Sequence, residues 1–294
     1  MNMREQACAT AARLAEEDPS VAIILGEISL GLFGDALSKF PDRVIDVGIM
    51  EQTMIGLAAG FALEGFHPIV HTIAPFLVER PFEQLKLDFG YQGLGGTFIS
   101  VGASYDYASE GPTHHSPGDV GVLLTIPEFE ILVPGHPAEV EPLMRATYAD
   151  GHPTYLRTSI RANASGYDAR PGSLEVIGRG TKATVLAFGP MLDAVIEATG
   201  GLDVDVLYAT SIRPFDASAL ASVAAGKVIA IEPFLEGTVA HLLMKALAGR
   251  AVEIHCIGVG PDRLTSYGGP EENDAAAGLD VPTLRRRITE VLAN

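Results

Sequence analysis

Two short stretches of this chain hold the residue types from which acid–base chemistry is built. Glu51 opens "EQTMIGLAAGFALEG" directly after the apolar run "VIDVGIM", a lone carboxylate in a nearly uncharged neighbourhood of Ile49, Met50, Met54 and Ile55. An acid so placed can handle a proton, or it can simply complement the macrodipole in a helix's first turn. The second stretch, "SYDYASEGPTHHSPGD", spans 104–119 and carries Glu110 with the adjacent His114 and His115. Histidine titrates near neutral pH and serves as a proton shuttle, whereas two adjacent histidines point apart and make a weak metal pair. Phe76 and Phe82 follow the run "HPIVHTI", and periodicity alone assigns both rings to core packing. His71, inside that run, reads as a satisfied interior histidine.

The elements that must position these residues are short β-branched runs alternating with helix-period stretches. "VAIILG" (21–26), "RVIDVG" (43–48), "HPIVHTI" (67–73), "GTFISVG" (96–102), "FEILVPG" (129–135) and "PTYLRTS" (153–159) read as buried strands, with helices expected over 51–64, 81–92 and 137–150. Continuous apolar strands separated by helices predict an α/β fold with mostly parallel sheets covered on both faces. In such sheets ligands bind beyond the carboxyl ends of strands, where Glu51, Phe76 and the 103–118 loop all fall. A Gly- and Pro-containing stretch around 159–181 interrupts the pattern, which restarts with "KATVLAF", "DVDVLYAT", "KVIAIEP" and "EIHCIGV". Two domains are expected: 1–160, a linker over 161–173, and 174–294.

With 294 residues, 47% apolar and 19% charged, the chain is globular. A net charge of −17 excludes nucleic acid and anionic membranes as electrostatic partners. Cys8 and Cys256 have no metal-ligand or disulfide spacing. The alanine-rich, charged N-terminus lacks a signal-peptide core and no stretch is apolar enough to span a bilayer, so a cytoplasmic protein is expected.

Taken together and in order, these blocks resemble the transketolase superfamily of thiamine diphosphate enzymes over almost the whole chain: its pyrimidine-binding domain, then its C-terminal domain. The blocks are "VGIMEQTMIGLAAGFALEG", "PIVHTIAPFL" with "RPFEQ", "EGPTHHSPGDVGVLLTIPEFEILVPGHPAEVEPLM", "ATSIRPFDASAL", "VIAIEPFLEGTVAHLL" and "IGVGPDRLTSYGGPEEN". On that resemblance Glu51 is the catalytic glutamate, sharing a proton with the cofactor's pyrimidine N1′ in a water-poor site. Ile49, Phe76 and Phe82 line the pyrimidine pocket. Glu110 takes the place of a carboxylate that contacts substrate hydroxyls, and His114 that of a histidine contacting substrate and oxyanion; Arg80 and Ser29 fall on substrate-side positions.

The family's Gly-Asp-Gly motif for diphosphate and magnesium does not occur; "GDA" and "GDV" stand alone. The resemblance therefore implies a split enzyme. This chain would be the beta-like subunit, no metal would be held by its own residues, and a second subunit would carry the diphosphate and Mg2+, the pair forming an α2β2 heterotetramer with little activity from this chain alone. Three departures bear on the substrate, expected to be a small carbonyl compound. Where sugar-phosphate transketolases carry a phosphate-contacting histidine this chain has Gly102; Ser159, flanked by Arg157 and Arg161, stands where they place an arginine; and Glu79 with Arg80 replaces an aromatic. Arg4 and Ser29 retain parts of a phosphate site. The expected reaction is transfer of a two-carbon ketol unit from a ketose-like donor to an aldehyde. The alternatives are the beta subunit of a 2-oxo-acid dehydrogenase or a decarboxylating carboligase such as a deoxyxylulose phosphate synthase-like enzyme, and, from another class, a non-catalytic subunit that has kept the fold.

Overall fold

A computed structural model of the chain describes residues 1–261 and 267–293. The block "IGVGPDRLTSYGGPEEN" thus lies partly outside the described residues. Six apolar runs form parallel strands: Val21–Leu25 (β1), Val44–Asp46 (β2), His67–Ile73 (β3), Gly96–Val101 (β4), Glu130–Leu132 (β5) and Pro153–Arg157 (β6). The second half supplies Leu174–Gly178 (β7), Ala183–Phe188 (β8), Val204–Ala209 (β9), Ser211–Arg213 (β10), Lys227–Leu235 (β11) and Glu253–Val259 (β12). They build a seven-stranded sheet in the order β10-β5-β6-β4-β3-β1-β2 and a five-stranded sheet in the order β12-β11-β8-β9-β7. Both are mostly parallel and flanked by helices, the α/β architecture expected; only the edge strands β7 and β10 run antiparallel.

Alternate residues of one strand serve opposite layers, as the two-residue period of a strand requires. Val21, Ile23 and Leu25 face the helix Met3–Glu17, whose small face of Ala7, Cys8, Ala11 and Ala15 allows close approach. Ala22 and Ile24 face the helix Glu51–Leu63, which buries Met54, Ile55, Ala58 and Ala59. The same core layer continues into the second sheet through Phe98, Phe129 and Tyr155 against Phe188 and Phe234. Among the described residues no helix is long and apolar enough to cross a membrane.

Two local features depart from the sequence expectation. The segment after β3 is not a regular helix over 81–92 but a wide π turn Pro75–Glu79, a short helix Phe82–Gln84 and a second wide turn Leu85–Tyr91. Pro75 and Pro81 lack the N–H that a regular ladder needs, and the first turn closes through Arg80 N–H to the Pro75 carbonyl at 3.1 Å. The other departure is β10, which leaves the second half of the chain to pair antiparallel with β5. Between Arg157 and Leu174 the chain contains neither helix nor strand.

Candidate active site

Glu51 is the first residue of its helix, entered through Gly48 at φ 71°. Its side chain is 7% exposed and accepts a 2.7 Å hydrogen bond from Arg80 Nη1. The Arg80 guanidinium lies over the Phe76 ring, 3.8 Å from its centroid. Phe76 in turn meets His114 edge to face, at 5.1 Å between centroids. Glu51, Arg80, Phe76 and His114 therefore form one continuous row beyond the carboxyl ends of the strands. The π turn after β3 accounts for part of this: residues 76 and 80 share one side of it, so ring and guanidinium stack.

His114 sits at the end of the 3-10 turn Ala108–Thr113, with Thr113 Oγ1 2.9 Å from its Nδ1 and the Tyr107 ring 6.4 Å away. Its loop is pinned at both ends. Ser116 N–H donates to the Ser104 carbonyl at 2.8 Å, and Ser116 Oγ donates to Glu79 Oε1 at 2.7 Å. Below, the fully buried Asp119 accepts from Arg157 Nε and from the Tyr155 hydroxyl, both at 2.7 Å. Arg157 also donates to Ser104, whose hydroxyl bonds the Pro233 carbonyl on β11. Gly111, at φ 70°, has no room for a Cβ because the Tyr267 ring lies against it. Both halves of the chain thus fix this loop.

A second cluster lies where β1 and β3 end. Ser29 Oγ is 2.7 Å from His71 Nε2 and accepts from Arg4 Nε at 2.9 Å. His71 Nδ1 is 2.9 Å from the Ile99 carbonyl, so Nδ1 carries the proton and Nε2 accepts from Ser29. Burial, reinforced by the Arg4 charge, pushes this imidazole down to about 4, while the Ile99 carbonyl opposes the shift. His71 is interior, as expected, yet it also orients Ser29. Ser29 and Glu27 hold φ values of 62° and 67°, left-handed backbone that non-glycine residues adopt at a cost.

The structure does not gather every expected residue. Ile49 and Met50 are 66% and 55% exposed and do not wall in Glu51, because Gly48 turns them outward; Met54 and Ile55 lie buried behind it. Phe82 is half-buried against the main core rather than beside Phe76. Glu110 is exposed in the turn that precedes His114. Phe76, assigned to the core on periodicity alone, is instead partly exposed, between the Arg80 guanidinium and the His114 ring. Sequence reasoning missed Tyr107, whose ring fills the space a side chain at Gly102 would need, 2.5 Å from the position of its Cβ. The only signal was Gly102 itself.

Residues 1–164 match the transketolase pyrimidine-binding domain. An uncharacterized 33.6 kDa protein of the fasciation locus of Rhodococcoides fascians is 41% identical over 94% of this chain and 90% of its own length. The 1-deoxy-D-xylulose-5-phosphate synthase of Synechococcus sp. (strain RCC307) is 30% identical over 96% of this chain, which spans only 46% of that enzyme. An apulose-4-phosphate transketolase subunit from Actinobacillus succinogenes is 30% identical over 68% of this chain and 67% of its own length. Among solved structures, a split-gene transketolase described as an inactive beta4 tetramer superposes with a TM-score of 0.85 at 21% identity, covering 100% of this chain and 98% of its own. The chain belongs to the transketolase pyrimidine-binding family.

Proposed function

We propose that the chain is the pyrimidine-binding subunit of a two-component thiamine diphosphate-dependent transferase that moves a two-carbon ketol unit from a ketose-like donor to an aldehyde acceptor. One observation carries the reading: a sheltered carboxylate, Glu51, an aromatic face, Phe76, and a histidine, His114, converge at the carboxyl ends of parallel strands. The bound cofactor would supply a nucleophilic carbon and an electron sink. For its part, Glu51 holds a proton at the pyrimidine edge and Phe76 offers a stacking face, with Ile49 at the rim and Phe82 packed behind. His114 donates to an oxygen of the carbonyl substrate; Glu110, Arg80 and Ser29 face the substrate's polar groups.

The residues present fit the pyrimidine half of the cofactor and not its diphosphate–magnesium half. Among the described residues no group of three or more His, Cys, Asp or Glu could hold a metal ion. With Gly-Asp-Gly missing from the sequence, diphosphate and Mg2+ are assigned to a second subunit in an α2β2 assembly, a reading supported by a relative named as one subunit of a transketolase and by a fold neighbour described as a split-gene transketolase. Ile49 and Met50, exposed directly before Glu51, are the apolar residues beside the site against which that subunit would seat. The proposed organisation is a pyrimidine-binding domain over 1–160, a linker over 161–173 and a C-terminal domain over 174–294, in a cytoplasmic enzyme.

A second reading, a decarboxylating synthase, is favoured by the 30% identity to 1-deoxy-D-xylulose-5-phosphate synthases and by the polar Glu79–Arg80 pair; release of carbon dioxide from a 2-oxo-acid donor would select it. To test the main proposal, the chain is co-expressed with a partner carrying Gly-Asp-Gly, purified through a tag on this chain, and titrated with thiamine diphosphate and Mg2+ by calorimetry. Co-purification, cofactor binding and a loss of turnover of about a hundredfold or more in Glu51→Gln are expected. A chain that retains no partner and binds no cofactor would overturn the proposal.

A further inference from the structure

Arg80 makes the two contacts that the proposed site offers to an aminopyrimidine. Its guanidinium lies 3.8 Å from the Phe76 centroid and gives a 2.7 Å hydrogen bond to Glu51 Oε1. A guanidinium and an aminopyrimidine share the relevant shape: each is planar and delocalised, stacks through its face, and turns a nitrogen edge to the carboxylate, the guanidinium through an N–H and the pyrimidine through the proton shared at N1′. The two cannot occupy this place together.

Little else holds Arg80 there. The side chain is 45% exposed, and Glu51 is its one carboxylate partner among the described residues. Gln52 Nε2 bonds the Arg80 carbonyl at 3.2 Å, so the backbone is tethered separately from the side chain. Glu51 depends on the contact more than Arg80 does: a sheltered carboxylate that loses its cation is left with an uncompensated charge.

We propose that Arg80 is a built-in competitor for the pyrimidine place: in the chain by itself it covers Phe76 and neutralises Glu51, and it must swing out before an aminopyrimidine can stack. The inference rests on the pyrimidine-site reading above and adds to it a residue that sets cofactor affinity. Swung outward, the guanidinium becomes free for the substrate side.

The test uses the full-length chain, isotopically labelled, and 4-amino-5-hydroxymethyl-2-methylpyrimidine as probe, titrated by NMR into the wild type, Arg80→Ala, Arg80→Met and Glu51→Gln. The methionine variant cannot bond Glu51, so its flexible stem has no carboxylate holding it over Phe76 and yields that face to the probe, and it serves if the alanine variant does not fold. Both Arg80 variants are expected to bind the probe about three- to tenfold more tightly, the scale of a half-exposed ion pair combined with a cation over a ring. In the wild type, saturation with the probe should move the Arg80 side-chain resonances away from their ring-shifted positions. Unchanged or weaker binding in the Arg80 variants, with wild-type binding still lost in Glu51→Gln, would overturn the competition and leave the site reading standing. Absence of Glu51-dependent binding in every variant would overturn both.

Discussion

Asp106 shows how a single buried carboxyl can write a pH signature into this protein. It accepts from Ser159 Oγ and from Ile160 N–H, each at 3.0 Å. Burial nevertheless pushes its pKa from 3.8 up to about 6, with those donors and Arg161 opposing the shift. Because the folded value lies above the unfolded one, the folded state binds more protons between them. The stabilisation is fully present below pH 3.8 and is lost as pH rises through about 6. Asp106→Asn cannot titrate, so the melting temperature of the wild type relative to this variant should fall by several degrees between pH 4 and pH 7, read by calorimetry at matched ionic strength. A difference that does not vary with pH would show that Asp106 titrates normally. At this scale Glu51 and His114 stood out as candidates only through the order and spacing of the surrounding blocks, since a first-turn acid and a loop histidine are each ambiguous alone. Tyr107 was not legible, because Gly102 signals missing volume without naming what fills it.

At the scale of elements, the His114 loop is held from below by a buried ion pair, Arg157 with Asp119. Asp119→Ala leaves the Arg157 charge buried without its partner and is expected to cost about 3–5 kcal/mol, measured by urea unfolding. Rescue by Arg157→Met in the Asp119→Ala background would show that the cost lies in the orphaned charge rather than in lost packing. The strands of this scaffold were readable because parallel strands buried on both faces form continuous apolar runs. The π turns were not: a wide turn carries no hydrophobic period of its own, and the two prolines that prevent a regular helix do not specify what replaces it. Phe76 and Arg80 lie four apart, a spacing that stacks on any helical turn, but the sequence pattern did not say that a helical turn would begin directly after β3.

For the molecule as a whole, the two sheets share a core, and the second half of the chain lends strand β10 to the first sheet. Arg213 on β10 donates to the carbonyls of Leu124, Ile126, Pro127 and Phe129, closing the end of the helix that follows the His114 loop. Arg213→Ala should cost about 2 kcal/mol, and urea unfolding followed at both sheets should still show one transition. Two transitions would mean that β10 and Arg213 are what couple the halves. None of this was legible beforehand, since three residues, Ser-Ile-Arg, carry no periodic signal and their pairing is decided by tertiary contacts.

The returning strand also sets a timetable for synthesis. During translation the first six strands emerge with one flank of β5 unpaired, and that flank stays open until residues 211–213 have left the ribosome and turned back. An unpaired strand edge is a template for another chain, so the nascent protein passes through an interval in which neighbouring copies on one message could join edge to edge. The order of the genetic text, rather than the stability of the finished fold, decides how long that interval lasts.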